Sequence, residues 1–111
     1  MKKTVLLITS SSAHRLLYKE GLRKRHFDVE TDALRRAGKV DAVVYDITTM
    51  HSTVDLRWLK SLNFPVVVLT CEDKLSVPLS SENRRILSYP VKMDQIIQAL
   101  AELGVEPESG A

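Results

Sequence analysis

Asp41-Ala42-Val43-Val44-Tyr45-Asp46 is the stretch that decides the fold. With Val40 it forms an apolar run that closes on an aspartate. A strand with one wet face alternates apolar and polar residues; an unbroken run marks a strand covered on both faces. The same signature appears on either side. Thr4-Val5-Leu6-Leu7-Ile8 precedes it, and Pro65-Val66-Val67-Val68-Leu69-Thr70 follows. Ile86-Leu87-Ser88 reads as a short last strand ahead of Tyr89-Pro90. Phe27, Val29 and Thr31 alternate with Asp28 and Glu30, which predicts a strand nearer a sheet edge.

Helical patterns separate these strands. Any of Ser10, Ser11 and Ser12 can cap a helix running from Ala13 to Arg25. Ala13, Leu16, Leu17, Gly21 and Leu22 recur at helical spacing and are expected to face the core, with Arg15, Lys19, Arg23 and Lys24 opposite. Ala33 to Ala37 is a short helix candidate ended by Gly38, and Thr53 to Leu62 is another. Met93, Ile96, Ile97, Leu100 and Leu103 mark a closing amphipathic helix stopped by Gly104. Between Thr70 and Tyr89 the pattern fails. Leu75, Val77 and Leu79 fall at spacing two, and Pro78 costs a helix about 3 kcal/mol. A fourth helix is therefore expected to be short, irregular or missing. Apolar strands alternating with amphipathic helices predict a doubly wound α/β fold, with five parallel strands in the order 2-1-3-4-5. Residues 1–104 form the domain, and 105–111 read as a tail or the start of a linker.

Composition narrows the function. The 111 residues make one domain, and the 44% hydrophobic content is enough for one core. The formal charge of +2 is too small to demand nucleic acid. The basic cluster Arg23-Lys24-Arg25-His26, with Arg35 and Arg36, is interrupted by Glu20, Asp28, Glu30 and Asp32, and reads as a solvated face. No apolar run approaches the roughly 18 residues that span a bilayer. Met1-Lys2-Lys3 followed by five apolar-leaning residues is too short for a secretory h-region. One cysteine, Cys71, leaves no internal disulfide and fits a reducing cytoplasm. His14, His26 and His51 share no ligand spacing and read as solvated or lightly paired surface histidines, so no metal site is expected.

In an open parallel sheet, ligands sit beyond the carboxyl ends of the strands. That directs attention to Thr9 and Ser10, Asp46, Thr70, and Ser88 with Tyr89. At these positions the chain resembles the response-regulator receiver domain. The resemblance runs from Lys3 to Leu103 and rests on Thr4–Ser10, Asp41–Asp46, Pro65–Thr70 and Tyr89-Pro90-Val91. It implies that Asp46 stands at the phosphoacceptor position and Thr70 at the switch-hydroxyl position. Pro90 then takes the proline position, which can follow a cis bond. It also implies departures. Receivers hold Mg²⁺ with two acidic residues after the first strand; Thr9 and Ser10 stand there instead. A lysine precedes the proline in the family; Tyr89 stands there instead.

Two neutral hydroxyls supply no charge to a hard cation that wants carboxylates. Without metal or lysine, nothing offsets repulsion between Asp46 and an incoming phosphoryl group. The expectation is an atypical receiver, not an enzyme and without a cofactor, acting through a protein partner or self-association. The face built from the fourth helix, fifth strand and fifth helix is the family's usual output surface. Leu75, Val77, Leu79 and Ile97 are expected to be exposed there. An effector domain in the same chain is compatible with this reading. A working phosphoacceptor at Asp46 and a flavin or small-molecule module using the hydroxyl-rich first loop are the alternatives. In the simplest reading Asp46 bonds backbone amides of its own turn within a neutral hydroxyl cluster.

Overall fold

The computed structural model describes residues 2–31, 40–47, 65–71 and 83–107. The helix candidates at 33–37 and 53–62, His51, and the irregular segment with Leu75, Val77, Leu79 and any fourth helix lie outside the described residues, as do 108–111.

Five strands form one parallel sheet: β1 (Thr4–Thr9), β2 (Asp28–Glu30), β3 (Ala42–Asp46), β4 (Val66–Thr70) and β5 (Arg84–Ser88). Their order is β2-β1-β3-β4-β5, as the sequence predicts, and every pairing is parallel. The central strands are covered on both sides. Val5, Leu7, Ala42, Val44, Val67 and Leu69 point to one face and join one core cluster. Leu6, Val43, Val66 and Val68 point to the other face and are fully buried as well. Unbroken apolar runs in β3 and β4 follow directly from this two-sided burial.

Helix α1 (Ser12–Lys24) starts where the serines predict: Ser11 caps it, its hydroxyl accepting from the His14 N–H at 3.1 Å. It ends in a Schellman turn, with Phe27 N–H bonded to the Leu22 carbonyl and His26 N–H to the Arg23 carbonyl. His26 takes the left-handed position at φ 71°, where glycine is more usual. The turn delivers Phe27 into the core beside Leu22.

The inward face of α1 differs from the one the apolar spacing predicts. Tyr18 and Leu22 are buried, whereas Leu16 is 64% exposed, Leu17 62%, and Ala13 is exposed as well. The Ser11 cap sets the rotation of the helix, so that positions 11, 14, 18 and 22 face the sheet. Leu16 and Leu17 then point outward however apolar they are.

Helix α2 (Met93–Glu102) packs beside α1 with Ile96, Ala99 and Leu100 inward. At Gly21 a Cβ would run into the flexible end of the Met93 side chain, which would have to shift. An ion pair between Arg25 and Asp94 links the same elements. Gly104, at φ 83°, ends the helix as predicted. Val105, which the sequence assigns to the tail, is buried and belongs to the core, its N–H bonded to the Leu100 carbonyl at 2.8 Å. Ile97 is corrected in the same way: it is partly buried against the core rather than exposed.

Two substitutions test this assignment of faces. Leu22→Ala is expected to destabilise the fold by about 2–5 kcal/mol, because it opens a cavity in a filled core. Leu16→Ala is expected to stay within about 0.5 kcal/mol. Urea unfolding of both variants measures the difference, and equal losses would place Leu16 in the core.

Candidate functional site

The sheet order reverses between β1 and β3, which opens a crevice at their carboxyl ends. Thr9 and Asp46 close these two strands and sit opposite each other in register. Asp46 is fully buried. An ionised carboxylate in such a place needs donors, and two reach the same oxygen. The Thr9 hydroxyl donates to Asp46 Oδ2 at 2.8 Å, and His14 Nδ1 lies 2.8 Å from that atom.

Each donor is itself held. The Ser11 N–H donates to the Thr9 hydroxyl at 3.1 Å, so that hydroxyl accepts from the loop and passes its own proton toward the carboxylate. Arg15 donates to the Thr9 carbonyl at 3.0 Å. His14 occupies the first turn of α1, aimed at the strand ends by the Ser11 cap. A carboxylate only accepts, so its bond to His14 assigns the Nδ1 proton to the imidazole.

Aromatic rings complete the surround. Tyr89 stacks on His14, with centroids 6.1 Å apart and planes at 19°, and Tyr18 packs at a tilt with its centroid 5.5 Å away. Tyr18 is buried and its phenol is pushed up to about 12, first by burial, then by the Asp46 charge, then by Tyr89. The Tyr89-Pro90 bond is cis, which the sequence allows for.

The predicted positions therefore separate. Thr9 joins Asp46 directly. Ser10 is exposed on the rim of the loop. Thr70 is buried at the end of β4, but its hydroxyl donates to the Cys71 carbonyl at 3.0 Å. Tyr89 is half-exposed and reaches the site through the His14 ring. His14 departs from the reading of a solvated or lightly paired surface histidine: it is partly buried and bonded to the buried carboxylate. Its position three residues past the capping serine is the signal that could have found it. Among the described residues no three His, Cys, Asp or Glu side chains come together, and no helix is long and apolar enough to cross a membrane.

Solved structures with the same architecture include a response regulator receiver domain protein from Clostridium thermocellum, with a TM-score of 0.73 at 18% identity over 92% of this chain and 94% of that one. A response regulator receiver domain protein from Bacillus halodurans gives 0.71 at 15% identity, over 97% and 100% of the two chains. The fold is that of response-regulator receiver domains. NtrX from Brucella abortus gives 0.71 at 21% identity, over 94% of this chain but 27% of that one. No family model and no curated protein matches the sequence. In receiver-fold terms, Asp46 lies at the carboxyl end of the central strand, at the switch point, where the resemblance places the phosphoacceptor.

Tyr18 reports on this site. Its raised phenol contributes stability that is present below pH 10 and lost as pH rises through about 12. In Asp46→Asn the phenol is expected to move down toward the ordinary value but stop short of it, because burial is the larger cause. Ultraviolet titration of the protein against Tyr18→Phe isolates this phenol. An unchanged midpoint in Asp46→Asn would separate Tyr18 from the carboxylate.

Proposed function

We propose that this chain is an atypical receiver-like signalling domain that acts by binding a partner protein, not by Mg²⁺-dependent phosphorylation of Asp46. The observation that carries the reading is the occupation of Asp46 Oδ2 by the Thr9 hydroxyl and the His14 imidazole. Acyl phosphate formation needs an aspartate oxygen presented to the phosphodonor, with a cation to spread the incoming charge. Here the carboxylate is fully buried and turned to internal donors.

Magnesium does not fit these residues. It takes oxygen ligands in an octahedral shell, usually with one or two carboxylates among them. At the positions where the receiver resemblance expects two acids stand Thr9 and Ser10, and Thr9 is already committed to Asp46. Tyr89 stands at the lysine position and supplies a ring in place of an ammonium group.

We place partner binding at the β5–α2 edge. A groove of about 330 Å³ lies there, lined by Arg85, Ile86, Leu87, Gln98, Ala99 and Glu102. Ile86 is exposed on it. Arg85 donates to Glu102 at 3.0 Å across the groove and holds that carboxyl below its ordinary range. The predicted apolar contributors Leu75, Val77 and Leu79 lie outside the described residues. The partner is a protein in the cytoplasm or a second copy. The NtrX likeness, which covers a minor part of that chain, also supports an effector domain as the thing regulated.

Beryllofluoride with millimolar Mg²⁺ imitates an acyl phosphate on a competent aspartate. Amide spectra recorded with and without it are expected to superimpose around Thr9, Asp46 and Thr70. Saturable shifts at those residues would make the domain a working phosphoacceptor.

A further inference from the structure

We infer that the His14 imidazole is a metal-independent phosphoryl acceptor, taking the group on Nε2 from a donor with an activated phosphorus–nitrogen bond. The inference goes beyond the proposed function and rests on the His14–Asp46 bond, not on the partner surface. Its starting point is a difference in access. The Asp46 side chain is wholly buried, whereas that of His14 is 20% exposed. An external donor can meet the imidazole and cannot meet the carboxylate. Nδ1 is turned to a buried atom 2.8 Å away, so the exposed part of the ring is the side that carries Nε2.

The pair is built as an oriented nucleophile. A carboxylate that accepts from Nδ1 selects the neutral tautomer whose electron pair lies on Nε2. The Ser11 cap and the stacked Tyr89 ring fix the direction in which that pair points. Charge separates His14 from Asp46 as an acceptor. A carboxylate meets phosphoryl oxygens as anion against anion and needs a cation between them. A neutral imidazole attacks without that repulsion. As the Nε2–P bond forms, positive charge develops on the ring, directly beside the Asp46 carboxylate, which stabilises it. The proton stays on Nδ1. With phosphoramidate as donor the P–N bond breaks, ammonia leaves with the electron pair of that bond, and nothing is oxidised or reduced.

The surroundings suit the group that arrives. His14 stands in the first turn of α1, where the helix dipole favours an anion. Arg15 is anchored at the same strand end by its bond to the Thr9 carbonyl and brings its positive charge there. His26 offers an internal reference. It is exposed at the other end of α1 and has no carboxylate bonded to its ring among the described residues.

The test incubates the chain with phosphoramidate and a chelator, and maps the product by mass spectrometry at alkaline pH and by ³¹P spectra. One phosphoryl group is expected on His14, lost in acid and resistant to hydroxylamine. His14 is expected to react at least about tenfold faster than His26, because the ring charge is met by a charged hydrogen-bond partner. Asp46→Asn is expected to remove most of that advantage and leave the His26 rate unchanged. Equal rates at His14 and His26 in the unaltered chain would overturn the inference, and that comparison needs no variant. An undiminished His14 rate in a folded Asp46→Asn chain would overturn it too. A hydroxylamine-labile group on Asp46 would overturn the proposed function as well, whereas an unlabelled His14 would leave that reading standing.

Discussion

A fully buried carboxylate is the constraint around which this domain is arranged. Leaving Asp46 ionised inside the protein without donors would cost several kcal/mol. The chain meets that demand with one residue from the neighbouring strand and one from the following helix. Thr9 is placed by strand register and His14 by a helix cap. Because both converge on Oδ2, the loop between β1 and α1, the rotation of α1 and the end of β3 are tied together. The negative charge also lies beside the first turn of α1, where the helix dipole favours it. Tyr18 senses the same charge through its raised phenol.

Under the proposed function, the strand ends differ in character from a metal-dependent site. Donors that come from the protein are permanent, whereas a bound cation can be exchanged along with a phosphoryl group. A carboxylate satisfied internally favours one state of its surroundings. Tyr89, laid on the imidazole, is half-exposed just after β5. Under the proposed function, partner binding falls to the surface, and the β5–α2 groove lies there among the described residues.

Much of the fold was readable from periodicity alone. Uninterrupted apolar runs in β1, β3 and β4 are what two-sided burial demands, and their order with intervening helical patterns leaves few topologies. Gly104 and the serine cap marked helix ends because each has a specific backbone job. The face of α1 was misread for a physical reason: apolar spacing states which residues could be buried, while the cap and the carboxylate decided which were. Leu16 and Leu17 satisfy the helical pattern and are exposed. The site was legible in half. Asp46, Thr9 and Thr70 follow from strand ends, but His14 lies 32 positions from Asp46 and no spacing rule connects them. Thr70 keeps its predicted place yet gives its hydroxyl to the backbone.

The most direct test is the protonation pattern of the His14 ring, read from long-range ¹H–¹⁵N spectra of the side chain above neutral pH. The account predicts an imidazole with a proton fixed on Nδ1 and donated to Asp46. A ring protonated on Nε2, or one averaging freely between tautomers as exposed histidines do, would show that Asp46 is not held in this way.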